Sequence, residues 1–286
     1  MARLFRWAGY AFASVLGLIL IVAAAIWLIS SARLSAKADT RPEHIVRPTP
    51  AQISDIARQA RTLGCFSCDG DGLRGKKMFD QPEIATVWAP NLTLLAAHAS
   101  DEQLARAIRQ GIGVDGRSLF IMPSESFQYL SDQEVGALVA MVRELPRGGT
   151  ETPRNAYGPI GRVGLIMGKF KTAPQLVTEY AVQEPIAVGP QFEGGRRLAI
   201  TRCSACHAAD LTGKEVKPGE ISPDLVLVGA YDLPAFKKLM RSGVRPGGQK
   251  LPMMGPIARS DLSHLTDPEI VALFDYLQAR AQHVSR

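Results

Sequence analysis

The chain has 286 residues, 33 Lys and Arg against 27 Asp and Glu, and a formal net charge of +6. This length predicts about two domains with extras, and 26 Gly with 19 Pro in an ordinary globular composition fit loop-rich domains. There is no basic block or aromatic platform, so nucleic acid is excluded as the natural partner; the mild positive excess leaves a solvated surface, anionic lipid or an acidic protein face.

Trp7 to Ile29 carries no charge over 23 residues. As a helix it spans about 34 Å, enough to cross a bilayer core. Trp7, Tyr10 and Trp27 mark the two interfaces. The stretch is longer than a usual signal-peptide core and no A-x-A site ends it, so residues 1–33 are predicted to be an uncleaved anchor. Arg3 and Arg6 precede it while Arg33, Lys37 and Arg41 follow, so flanking charge does not orient it. Gly9, Ala13 and Gly17 form a small-residue stripe that could dock a second membrane helix. Residues 34–50 read as a polar, Pro-containing tether that does not pack.

A first domain is predicted over 51–146. It opens with a helix over 53–63 and continues into Cys65-Phe66-Ser67-Cys68-Asp69. A helix over 101–110 is capped by Ser100 and Gln103, and a closing helix over 132–144 by Ser131 and Glu134. Residues 147–186 are Gly/Pro-rich and form a connection, within which 161–170 is apolar enough to pack. A second domain over 187–286 has helices over 192–201, 233–241 and 267–281, the last boxed by Thr266 and Glu269. No strand pattern of useful length appears, so the expected class is all-α.

Cys203-Ser204-Ala205-Cys206-His207 decides the chemistry. C-x-x-C-H is the attachment signature of a c-type haem. Cysteines three apart on one helical face can reach both vinyl groups of a porphyrin, and the histidine follows beneath the iron. A structural zinc site would need four ligands, and a thioredoxin-like site a βαβ context. The far ligand is sought in Leu251-Pro252-Met253-Met254-Gly255-Pro256, since a loop methionine between Pro and Gly is no periodic core position. A His/Met pair raises the reduction potential. It also fills both axial positions, which argues for electron transfer over catalysis; no catalytic residues are expected.

The pattern occurs twice. Cys65, Pro90, Gly111 and Asp132 answer Cys203, Pro223, Gly243 and Asp267 at separations of 138, 133, 132 and 135. A nearly constant offset indicates one domain present twice. Gly116 stands six before Met122 and Gly248 six before Met254, which selects Met254 over Met253. The departure is Asp69, where the second copy has His207. A carboxylate is a hard ligand and a poor substitute. Among the other histidines, His44, His264 and His283 lie in a linker, the other copy and the tail, which leaves His98 as the only internal candidate; a lone histidine in a polar turn is ordinarily just solvated. Other readings of the first copy are an open coordination site for an enzyme or ligand sensor, and a scaffold holding a Cys65–Cys68 disulfide.

These motifs resemble the class I cytochrome c family, in particular its membrane-anchored tandem dihaem type, over roughly residues 51–286. The resemblance implies thioethers from haem c to Cys203 and Cys206, and iron ligation by His207 and Met254. It implies a backbone carbonyl at Pro223 orienting the histidine, with Pro90 in the same place in the first copy. There it implies Cys65, Cys68 and Met122, without a proximal ligand. First and last helices would cross over the haem edge. Partners would be a redox donor and acceptor and a membrane subunit. The body would face the periplasm of a bacterial inner membrane, because haem attachment occurs outside the cytoplasmic membrane.

Overall fold

The computed structural model describes residues 2–217 and 219–284. Helix α1 (Ala2–Ser35) stands clear of the body over most of its apolar length, meeting it only from Trp27 on, and is long and apolar enough to cross a membrane. Neither Gly9 nor Gly17 has a neighbour within 4 Å of where a Cβ would sit.

Residues 37–46 correct the expectation of an unpacked tether. They form a strap on the first body. Ala38 N donates to Gly116 O (3.0 Å), and Gln110 exchanges side-chain bonds with the backbone of Arg41 (2.9 and 2.8 Å). Arg109 holds Glu43 (2.9 Å) and the His44 carbonyl (2.7 Å). Ile45 packs on the core, and a Cβ at Gly136 would lie 2.0 Å from the Val46 carbonyl. Polar residues make a tether only when no partner satisfies them; here Arg109 and Gln110 do. A protease added to the intact protein is therefore expected to spare the strap and cut first at the exposed stretch 181–184, as peptide masses would report. First cleavage inside 37–46 would contradict this packing.

The first body contains α2 (Pro50–Thr62), α3 (Cys65–Asp69), α4 (Leu92–Leu95), α5 (Asp101–Gln110), α6 (Ser124–Phe127) and α7 (Asp132–Glu144). Helix α2 begins a turn earlier than predicted, because Thr49 and Gln52 complete a capping box and Pro50 fits the first turn. The bounds of α5 and α7 are the predicted ones, each with its capping box. Ile56, Leu104, Phe127, Val135 and Leu138 form the centre of this core.

The protein is mostly helical but not all-α. β1 (Lys76–Gln81) and β2 (Ala85–Ala89) pair antiparallel, and β3 (Ala156–Tyr157) adds to β2. β4 (Lys214–Lys217) and β5 (Glu220–Ser222) make a second hairpin. Both hairpins contain a register shift, so their side chains do not alternate cleanly. That removes the period-two signal by which a strand is read from sequence.

Residues 147–186 are more ordered than predicted. They contain α8 (Pro159–Ile166) and α9 (Ala173–Tyr180). The second body follows: α10 (Glu193–His207), α11 (Leu233–Ser242), α12 (Met254–Ser260) and α13 (Asp267–Val284), with a 3-10 segment over 225–230. Its core centres on Leu211, Phe236, Ile270, Leu273 and Tyr276. First and last helices cross at Gly195, where a Cβ would lie 2.0 Å from the Ala272 carbonyl oxygen. Gly195→Ala is expected to force α10 and α13 apart and lower stability by about 2 kcal/mol, read as a lower urea midpoint.

The two bodies share local geometry. Arg109 clasps Leu130 O (3.3 Å) and Asp132 (2.7 Å) ahead of α7; Arg241 clasps Leu265 O (2.5 Å) and Asp267 (2.7 Å) ahead of α13. Leu73 and Leu211 both adopt positive φ, at 57° and 66°. The bodies also hold each other reciprocally. Arg58 pairs with the capping Glu269 of α13, and Arg197 with the capping Glu134 of α7, both at 2.8 Å. Ser126 meets Ser204 at 2.7 Å, and Ser67 donates to Asp261 at 3.1 Å.

Candidate functional site

Helix α10 runs unbroken through the motif and ends at His207, where Ala208 turns to φ 69°. Cys203 and Cys206 therefore share one face, one turn apart. The hairpin β4–β5 is tied to this helix end. Ser222 Oγ donates to the Cys206 carbonyl, and Gly213 N donates to His207 O at 2.8 Å. The hairpin leads directly into Pro223, whose carbonyl lies 2.8 Å from His207 Nδ1. A carbonyl only accepts, so Nδ1 carries the proton and Nε2 keeps its lone pair for a metal. Burial lowers the His207 pKa, against the opposing pull of the Pro223 carbonyl, and favours the neutral ring. Burial pushes the Cys203 thiol up to about 12 and raises Cys206 as well. All four cysteines are free, so Cys65 and Cys68 are not joined to each other.

Met254 is the first residue of α12 and packs, half-buried, against the same core as Cys203, Leu251 and Ile257. Met253 precedes the helix as its cap and is not among the side chains packed on that core. The loop is pinned by glycine against glycine: a Cβ at Gly243, whose φ is 70°, would lie 2.3 Å from Gly255 Cα. The residues fit haem c in three respects. Two thiols share a helical face, a neutral imidazole offers Nε2, and a soft thioether packs on the same core.

In the first body, Cys65, Cys68, Asp69 and Met122 line one cavity of about 260 Å³. Pro90 lines it too, while His98 is not among its lining residues, which sets that candidate ligand aside. His98 follows α4 in the turn whose neighbours Ala96 and Ala99 face the core. Burial alone raises the Asp69 carboxyl to about 7. Sequence reasoning missed Met78, Trp88 and Tyr157, which reach the cavity from β1, β2 and β3. Their only signal was the short apolar run Ala85-Thr86-Val87-Trp88.

Two charged features flank the motifs. Arg202 bonds Thr62 Oγ1 (3.3 Å) and Thr201 Oγ1 (2.6 Å), and its charge acts on both Cys65 and Cys203. Near Cys206, Lys214 Nζ donates to Tyr180 Oη at 2.7 Å, and burial raises the Glu125 carboxyl.

Residues 192–281 match the cytochrome c family model. The match begins just ahead of α10 and contains Cys203, Cys206, His207 and Met254. This cytochrome c domain implies covalently bound haem c in the C-terminal region. The chain is also similar to the fructose dehydrogenase cytochrome subunit of Gluconobacter japonicus. The two are 22% identical over 265 residues, covering 81% of this chain and 54% of that protein. The chain thus spans about half the length of this relative.

Proposed function

We propose that this protein is a membrane-anchored electron-transfer cytochrome, a carrier or the cytochrome subunit of a dehydrogenase or respiratory complex, with its body in the periplasm. The observation that carries the reading is the His207 Nδ1–Pro223 carbonyl bond next to two free cysteines on one helical face. Cys203 and Cys206 would hold haem c through thioethers, and His207 and Met254 would supply its protein ligands. When bound, haem c supplies a one-electron iron couple. The Pro223 carbonyl fixes the tautomer and orientation of His207, and the packed α12 start fixes Met254. With His207 and Met254 both engaged, the site would exchange electrons with protein partners rather than bind a substrate. The similarity to a dehydrogenase cytochrome subunit supports a dehydrogenase as donor. The apolar α1 supports a single-pass anchor in a bacterial inner membrane.

The first body is read as a second, tandem cytochrome c domain. The paired arginine clasps, the paired leucines at positive φ and the cavity joining Cys65, Cys68 and Met122 support this. The buried carboxyl of Asp69 in that cavity favours a second reading for this body alone: a site with an open coordination position, or one left without haem.

The test is expression in a host with the haem-attachment machinery, followed by mass spectrometry of the peptide spanning Cys203 to His207 and a redox titration. The peptide should carry the mass of haem and the titration should show a one-electron couple. Free thiols at Cys203 and Cys206 would refute the proposal.

A further inference from the structure

We infer that α8 and the turn after it, residues 160–170, lie in the headgroup region of the same bilayer that α1 crosses, as a second, interfacial membrane contact. The inference rests on the reading of α1 as a membrane anchor. Helix α8 has three faces with different fates. Gly161 packs so tightly on the β1–β2 turn that a Cβ would lie 2.0 Å from the Ile84 carbonyl oxygen. Arg162 and the backbone carbonyls of Leu165 and Ile166 meet the end of α1. The Arg162 guanidinium stacks 3.7 Å from the Trp27 ring centre and donates to Ser30 Oγ (2.7 Å) and Ser31 Oγ (3.0 Å). In return, Arg33 caps the helix, donating to the Leu165 and Ile166 carbonyls at 3.0 Å each. The third face carries Ile160, Val163 and Met167 at spacings of three and four. They are 58%, 37% and 65% exposed, and Phe170, 44% exposed, folds back over Gly164 beside them.

Four large apolar side chains on one short segment are more than the scattered exposure of an ordinary surface. What covers them follows from where α8 is fixed. Its partners on α1 are Trp27 to Arg33, the end of the apolar span, where tryptophan and arginine mark the boundary of hydrocarbon and headgroups. Helix spacing puts the exposed stripe beside the α1-facing side, so the apolar surface of α1 continues onto α8. The rim carries the matching charge. Lys169 is exposed among the apolar residues, and Lys171 follows, paired with Glu179. An amphipathic helix with lysines at its edge and Phe, Met and Ile on its face suits a surface of anionic phospholipid. Two contacts rather than one would set the tilt of the body, and thereby the side it offers to redox partners.

The test uses the full-length haem-loaded protein in vesicles of phosphatidylcholine and phosphatidylglycerol carrying a diazirine in the acyl chain. After illumination, lipid adducts are mapped by mass spectrometry. Adducts are expected on the span 7–29 and also on 160–170. Ile160→Asp with Met167→Asp should reduce the adducts on 160–170 at least several-fold and leave those on 7–29 unchanged, with the haem spectrum confirming an intact fold. Adducts on 7–29 with none on 160–170 would overturn the inference and leave the anchor standing. Adducts on neither segment would remove the anchor, and the inference with it. Unchanged adducts on 160–170 in the double variant would show that this apolar face is not what meets the lipid.

Discussion

Asp69→His is expected to raise covalent haem from close to one per chain towards two. The first body already has what an attachment site needs except one nitrogen ligand. Cys65 and Cys68 share a helical turn, and Met122 reaches the same cavity of about 260 Å³. The backbone at residue 69 is held as it is at residue 207: Gly75 N donates to Asp69 O at 2.7 Å, and Gly213 N to His207 O at 2.8 Å. Pro90 lines the cavity where Pro223 steadies His207 in the second body. A histidine at 69 would therefore start from the right backbone, with a carbonyl-bearing proline at hand. Burial raises the present carboxyl to about 7, and a carboxylate is a hard group that binds ferrous haem iron weakly. The new haem should be low-spin, with Met122 opposite residue 69. Haem assay and intact mass on both proteins decide the matter. Two haems in the unmodified protein would mean that attachment tolerates Asp69. One haem in both would mean that the first body has become a spacer.

Met254→His should lower the reduction potential of the second body's haem by about 0.1–0.3 V, within the roughly 0.8 V that axial ligands span. Imidazole donates more strongly than thioether and stabilises the ferric state. The sulfur-to-iron band at the red end of the ferric spectrum should vanish with it. Met253→His should change neither by much, because Met254 is the one packed on the core that holds Cys203. A potentiometric titration of both variants, followed by absorbance, is the measurement. If the two variants exchanged behaviours, Met253 would be the ligand and the spacing from Gly248 would have the wrong register.

Much of the site was legible because its rules are local. C-x-x-C-H names its cofactor through short-range geometry, and α10 carries the five residues on one continuous helix. The capping boxes at Ser100, Ser131 and Thr266 involve residues three apart, so they placed the starts of α5, α7 and α13 without tertiary knowledge. The apolar run of α1 was equally plain. The hairpins were not legible, since each strand is short and bulged and gains its bonds only from its partner. With β1–β3 unseen, Met78, Trp88 and Tyr157 could not be assigned to the cavity.

By itself, the sequence determined the attachment motif, the helix boundaries marked by caps, the apolar span and the spacing that favours Met254. Each depends on residues close together in the chain. Only the tertiary structure decided that Asp69 and Met122 face one open cavity, that His98 does not, and that residues 37–46 are bound rather than free. Each of these depends on contacts between residues far apart in sequence. The strap is the plainest case. Glu43 reads as a solvated charge, yet its side chain is 4% exposed because Arg109, 66 residues later, comes to meet it. Whether a polar group is solvent-facing or buried is set by the partner that pays its desolvation, and no local pattern encodes where that partner will be.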